Sequence, residues 1–296
     1  MGLFDSFKKS SANANGIKLA NLGKYQEALE CFDKAIKLSP NRSETWYNKG
    51  SALLKLGRYQ EALECYDKSL KLNSKDPMNW FKKGMTLGNL KKQKEALKCY
   101  NESLKLDQGN YKVWYNKGVT LEILGRYQEA LECFKEASKI NPKDSKAWYN
   151  HGFILEKRFG RDKEALECYN KVLELDKNDY TTWYNKGNIL KEFGKYQKAL
   201  DCFDEVLKLN PEFTGGWGDK GLVLNELKRN EEALTCFNRV ILLDPADARG
   251  YYSKGITIMQ MGVDQEALEC FEKALELNPN FEPAKKAKEE ILASKS

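Results

Sequence analysis

The sequence has one histidine, no Cys-x-x-Cys pair, seven prolines and no long apolar run. The lack of an apolar run argues against a membrane-spanning helix, which needs about 18 or more such residues in succession. No apolar core follows the N-terminus as a secretory leader would require. The expectation is therefore a cytoplasmic protein whose eight cysteines are free thiols, with no disulfide framework. A lone His151 without a partner motif argues against acid–base catalysis, and thiols without clustered ligands argue against a metal or other cofactor. Neither sign of charge is scarce: 49 basic against 43 acidic side chains in 296 residues leave +6. The two signs are interspersed, as in Gln60-Glu61, Glu64 and Lys68, which reads as a solvated helix face. No basic run supports a nucleic-acid groove.

What is present is periodic. The cysteines Cys31, Cys65, Cys99, Cys133, Cys168, Cys202, Cys236 and Cys270 are spaced by 34, 34, 34, 35, 34, 34 and 34 residues. Trp46, Trp80, Trp114, Trp148, Trp183 and Trp217 keep the same step, and the next step reaches Tyr251. Length alone would allow two ordinary domains, but internal repetition takes precedence over that prior. The repeats read as 9–42, 43–76, 77–110, 111–144, 145–179, 180–213, 214–247 and 248–281, with an extension at 1–8 and a further helix over 282–296.

Each repeat reads as two helices. In repeat 2, Trp46, Gly50 and Leu53 recur at i, i+4 and i+7, and after Leu56-Gly57-Arg58 a second stripe begins at Ala62 and Leu63. Gly57 and its counterparts occupy the break, and Pro40, Pro142, Pro211, Pro245 and Pro279 stand where the second helix must end. One helical pair cannot bury both apolar stripes, whereas stacked neighbours can. The cysteines, one per repeat, read as small core residues.

Trp-x3-Gly, then Ala-x3-Phe/Tyr, then Pro, as in Trp114, Gly118, Ala130, Phe134 and Pro142, resembles the tetratricopeptide repeat. The resemblance runs over 273 of 296 residues. It implies an all-α fold: a right-handed superhelical solenoid of eight helix-turn-helix units with a C-terminal capping helix. It also implies a concave face lined by first helices and a non-catalytic role in holding a protein or peptide. On that face the resemblance places Tyr47, Phe81, Tyr115, Tyr149, Tyr184 and Tyr252, together with Asn48, Asn116, Asn150 and Asn185. Asparagine amides could pair an extended peptide backbone, or the same residues could only brace neighbouring helices. Specificity would lie in the variable positions Lys82, Lys112, Lys146, Asn188, Asp219 and Arg249. The family's clamp for acidic chaperone tails needs Lys-x3-Asn, an Asn and Lys-x3-Arg on three successive first helices, and no three repeats here supply it.

The departures from the pattern carry their own expectations. Repeat 5 has an extra residue around Arg158-Phe159-Gly160, which should distort its turn. Repeat 7 begins Gly215-Gly216-Trp217-Gly218, where three glycines weaken a helix by up to about 1 kcal/mol each and make either a soft joint or a partner-specific notch. Its Gly216, Gly218 and Gly221 match a dinucleotide fingerprint by letter only, without the strand that signature requires. Met1-Gly2-Leu3-Phe4-Asp5-Ser6 fits an acylation pattern, but a docking turn through Leu3, Phe4 and Phe7 is the preferred reading, and membrane contact is not expected. Three classes of function remain: an adaptor for a protein partner, a self-assembling homo-oligomeric scaffold, or a targeting subunit of a separate enzyme.

Overall fold

The computed structural model describes residues 3–294, with side chains described over 11–293. The N-terminal readings on Gly2, Leu3, Phe4 and Phe7 lie outside the described side chains. Among the described residues there are seventeen helices and no strand. The first helices of the repeats are α1 (Leu3–Asn21), α3 (Ser43–Lys55), α5 (Pro77–Asn89), α7 (Tyr111–Ile123), α9 (Ser145–Phe159), α11 (Tyr180–Glu192), α13 (Thr214–Glu226) and α15 (Ala248–Gln260). The second helices are α2 (Tyr25–Leu38), α4 (Tyr59–Leu72), α6 (Gln93–Leu106), α8 (Tyr127–Ile140), α10 (Asp162–Leu175), α12 (Tyr196–Leu209), α14 (Asn230–Leu243) and α16 (Asp264–Leu277). A final helix, α17 (Glu282–Ser294), follows. No helix is long and apolar enough to cross a membrane among the described residues.

The chain divides into two compact halves, Met1–Arg158 and Phe159–Ser296. In the first half, α1 pairs with α2, α3 with α4, α5 with α6 and α7 with α8, and each second helix packs on the next first helix as far as α7. In the second half, α11 pairs with α12, α13 with α14 and α15 with α16; α17 packs on α16 and buries Ala284, Ala287 and Ile291.

The local reasons repeat with the sequence. At the end of α3, Gly57 takes φ +75°, the Arg58 amide donates to the Leu53 carbonyl, and the Gly57 amide donates to that of Leu54. This left-handed cap satisfies carbonyls that the helix end would otherwise leave unpaired. Arg58 then opens α4 and forks onto Glu61 at 2.7 and 2.6 Å; Arg126–Glu129, Arg161–Glu164 and Arg229–Glu232 repeat the pair. In repeat 5 the extra residue does not break the turn. It lengthens α9 to 15 residues, where most first helices have 13, and Gly160 still takes φ +60°.

Within a pair, the glycine of the first helix lets the aromatic ring of the second approach its backbone. A Cβ on Gly118 would lie 2.9 Å from the Phe134 ring. Ala62, Ala96, Ala130, Ala165, Ala199 and Ala233 are fully buried, and Cys65, Cys99, Cys133, Cys168, Cys202 and Cys236 are buried free thiols.

The tryptophans are half-buried and do more than fill the core. Each indole N–H donates to the carbonyl six residues earlier, from Trp46 to Pro40 at 2.8 Å through Trp148 to Pro142 at 3.1 Å, and so pins the turn between repeats. The lysine three residues on lies over the indole, at 5.0 Å for Lys186 on Trp183. In three repeats that lysine also reaches an aspartate of the preceding second helix: Lys49–Asp33, Lys83–Asp67 and Lys220–Asp204, each at 2.6 Å. His151 takes the lysine's place in repeat 5. It is half-buried and stacked on Trp148 at 6.1 Å.

Candidate protein-binding face

The residues expected to meet a partner all sit on first helices, with different exposures. In the first half, Tyr47 and Tyr115 are half-buried and pack on Tyr66 and Phe134, at 6.0 and 5.7 Å. Tyr149 stacks on Phe153. Phe81 is only 4% exposed and packs on Tyr100, so it belongs to the core and has little surface to offer. The asparagines work within the chain. Asn48 donates to the Asn13 side chain at 3.4 Å, and Asn150 to the Tyr115 hydroxyl at 3.1 Å, each bond reaching 35 residues back. Asn116 would reach Phe81 in the same register, and phenylalanine has no hydroxyl. Its amide folds back onto the Lys112 carbonyl at 2.7 Å.

Lys82 holds the asparagine position of repeat 3. Burial lowers its ammonium from the usual lysine range, and the positive charges of Lys55 and Lys112 add to that. Among the described residues none of these three lysines has an ion-pair partner. Next to them a hollow of about 420 Å³ is lined by Tyr111, Lys112, Tyr115, Lys143, Asp144 and Lys146. Lys143 was not legible as a site residue, because it lies in the turn between repeats and outside the first-helix pattern. The face here is aromatic and basic.

In the second half, Asn185 is buried at 8% exposure, whereas Tyr184, Asn188, Asp219 and Tyr252 are half-buried and Arg249 is exposed. The Tyr184 hydroxyl donates to Asp219 at 2.6 Å, and Lys191 bonds the other carboxylate oxygen at 2.5 Å. Burial first, and then the adjacent Asp219 carboxylate, push the Tyr184 hydroxyl up to about 12; Asn188 also bonds it. Arg249 forks onto Asp247 at 2.9 and 2.7 Å, which lowers the Asp247 carboxyl from its ordinary value. These groups border a cavity of about 490 Å³. The sequence reading missed Leu222 and Phe281 in its lining; Leu222 is an apolar side chain 45% exposed inside a helix, but exposure itself is not written in the period.

A larger hollow, of about 860 Å³, lies away from this face, over α6 between Trp80 and Trp114. Asn101 stands there where Asp33 and Asp67 stand in earlier repeats, so Lys117 lacks the aspartate that Lys49 and Lys83 have. A sister hollow of about 600 Å³ lies beside Asn170 and Trp183 in the second half. Lysine and glutamate alternate on the walls of the larger hollow, and some pair with each other, as Lys105 does with Glu102. Mixed and partly paired charge selects no particular ligand.

Profiles of the tetratricopeptide repeat match residues 43–76, 111–144, 180–213 and 248–281, and further repeat profiles match 18–57, 79–110, 145–179 and 215–247. Among solved structures the chain is similar to YrrB, described as a TPR protein with an unusual peptide-binding site, at 23% identity and a TM-score of 0.59, covering 64% of this chain and 97% of that one. It is similar to MamA of Desulfovibrio magneticus RS-1 at 26% identity and a TM-score of 0.54, over 58% and 97% of the two chains. It is also similar to a chain of the APC/C hetero-tetramer Cut9–Hcn1 at 17% identity and a TM-score of 0.51, over 90% and 52%. A stretch of 38 residues is 47% identical to an uncharacterized protein of Methanocaldococcus jannaschii, covering 13% of this chain and 44% of that protein's length.

Proposed function

This chain belongs to the tetratricopeptide repeat family, and we propose that it is a non-catalytic adaptor holding an extended, acidic segment of a partner protein on its first-helix face. One observation carries the reading. On the second helices, basic groups are met by acidic neighbours a turn away, as in Arg58–Glu61 and Arg126–Glu129. Beside Tyr47 and Tyr115, by contrast, Lys55 and Lys112 crowd Lys82 with like charge, and none of the three has an ion-pair partner among the described residues; the carboxylates near the two rings, Asp76 at Tyr47 and Asp144 and Glu122 at Tyr115, leave these lysines unpaired. Like charges brought together in this way favour an anionic partner, and half-buried rings beside them supply rigid apolar contact. A peptide-binding site in YrrB, whose fold this chain shares, is in keeping with that use of the face.

The test is affinity capture from the native organism with the full chain and with a Lys82→Glu/Lys112→Glu variant. The expected result is a captured protein whose affinity falls at least tenfold in the variant and weakens with added salt, while helicity is unchanged. Retention by that variant, with loss on reversing Lys98 and Lys105 of α6, would place the working surface on the second helices. Light scattering across concentration distinguishes a foreign partner from a second copy of the chain.

A further inference from the structure

From repeat 2 to repeat 8 the residue after tryptophan, or after Tyr251, is aromatic in every repeat but one: Tyr47, Phe81, Tyr115, Tyr149, Tyr184, Gly218, Tyr252. In five of these repeats that ring packs over the aromatic of its own second helix. The pairs are Tyr47–Tyr66, Phe81–Tyr100, Tyr115–Phe134, Tyr184–Phe203 and Tyr252–Phe271, with ring centroids 5.7 to 6.1 Å apart. Repeat 7 has the second-helix ring, Phe237, but Gly218 provides nothing to set against it. Among the described residues Phe237 has no ring partner; it is only 1% exposed and forms the floor of the 490 Å³ cavity, so the open place is the one above it at Gly218.

The cavity is an empty place in a ladder. A Cβ added to Gly218 would meet no atom within 4 Å. One turn on, Leu222 is 45% exposed, and the rings of Tyr184, Tyr252 and Phe281 border the space. The charged groups at its edge are already satisfied: Asp219 by Lys191 and Tyr184, Arg249 by Asp247. The wall rings already meet others edge-on, Tyr184 with Phe213 at 4.9 Å and Tyr252 with Phe281 at 5.3 Å, so the surface left unmet is apolar, Leu222 above all, and the volume falls within the range of small-molecule pockets.

We propose that the cavity beside Gly218 receives an uncharged aromatic side chain of a bound partner segment, which takes from outside the first-helix ring position that repeat 7 leaves empty. The proposal deepens the reading of the first-helix face as a peptide-binding surface and rests on it. The ring would stand between Tyr184 and Tyr252 and cover Leu222. A tryptophan or tyrosine residue in the partner would then be read at this one repeat, since the chain's own rings occupy the position in the others.

The test uses the full chain, with N-acetyl-tryptophanamide, N-acetyl-tyrosinamide and N-acetyl-leucinamide as probes, followed through assigned backbone amide resonances. The aromatic amides should shift Gly218, Leu222 and Tyr252 with roughly millimolar affinity, as expected for ligands of this size. The leucine amide should bind at least tenfold more weakly. Gly218→Tyr supplies the ring from within and should abolish the shifts, whereas Gly218→Ala leaves most of the space and should retain them. Equal binding of the leucine amide, or shifts that survive Gly218→Tyr, overturns the proposal. So does a self-associated chain that becomes monomeric on Gly218→Tyr, since the occupant would then be a second copy. These readouts do not involve Lys82 or Lys112, so a failed cavity and a failed basic face give separate results.

Discussion

The Asn150 amide donates to the Tyr115 hydroxyl at 3.1 Å across one repeat step, joining α9 to α7 on the face that carries the ring ladder. In the second half, Tyr184 and Asp219 make the same step with the donor reversed, because a carboxylate can only accept. In repeats 2, 5 and 7 the residue two positions after tryptophan thus ties successive first helices together. This gives it a structural duty, and an alanine there would be felt in stability as well as in binding.

Asn150→Ala and Tyr115→Phe should each destabilise the protein by about 0.5–1.5 kcal/mol, the usual net worth of one hydrogen bond. In a double-mutant cycle the two losses should be less than additive, since both remove the same bond. Asn116→Ala should cost less, because its amide returns to the carbonyl of Lys112 in its own helix. Urea midpoints of the four proteins check this; additive losses would mean that the bond is not formed in solution.

Two glycines of the first helices should respond in opposite directions to the same change. A Cβ at Gly118 would sit 2.9 Å from the buried Phe134 ring, so Gly118→Ala must displace a packed aromatic and should cost about 1–3 kcal/mol. At Gly218 a Cβ would meet nothing within 4 Å, so Gly218→Ala should stabilise by about 0.5–1 kcal/mol through helix propensity alone. Thermal melts of both variants decide it, and equal effects would contradict the packing described.

Burial pushes the thiols of Cys65, Cys99, Cys133, Cys202 and Cys236 up to about 11 and that of Cys168 up to about 12. An unfolded cysteine ionises near about 8.5. The folded value is the higher one, so the stability these thiols contribute is fully present below about pH 8.5 and is lost as pH climbs toward 11. A progressive fall in the melting temperature across that interval is expected, and it should shrink when the six cysteines are replaced by alanine. In the native protein, Cys31 and Cys270, half-buried in the first and last repeats, should react with a thiol reagent first; the remaining six should react only on unfolding. Rapid native modification of Cys133 would overturn this.

Much of the fold was legible because the period is written in residue types with a single steric use. Gly57 at its left-handed cap, the fully buried Ala62 and Cys65 in the core each admit few substitutes. The ladder was less legible. Asn150 and Asn116 occupy the same place in their repeats, yet one braces a neighbour and the other does not, because the residue 35 positions earlier is Tyr115 in one case and Phe81 in the other. Trp148 read as core, whereas the structure gives its indole N–H a task at the turn between repeats, at the Pro142 carbonyl. A single-repeat pattern cannot report on contacts between repeats. The open place at Gly218 was visible as a departure, but its walls come from α11, α13, α14, α15 and Phe281 just before α17, which only the packed chain brings together.

The turns of repeats 3 and 7 carry a correctable strain. Lys91 and Lys228 take φ of 59° and 60° at the position where Gly57, Gly125 and Gly194 have 75°, 72° and 66°. The same cap bonds form: the Lys92 and Arg229 amides donate to the Leu87 and Leu224 carbonyls, each at 2.9 Å. Lysine therefore adopts a left-handed backbone with no bond gained in exchange, and its Cβ clashes there by about 1–2 kcal/mol relative to a right-handed residue. Glycine avoids the clash, but it raises the entropy of the unfolded chain and so returns part of the gain. The net expectation is that Lys91→Gly and Lys228→Gly each stabilise by about 0.5–1 kcal/mol, and that Gly57→Lys destabilises by a similar amount. The two stabilising changes lie in separate halves and share no partner, so their effects should add. Urea midpoints of the single and double variants measure this. A fall in stability for either lysine variant would show that the side chain holds a compensating contact at the turn.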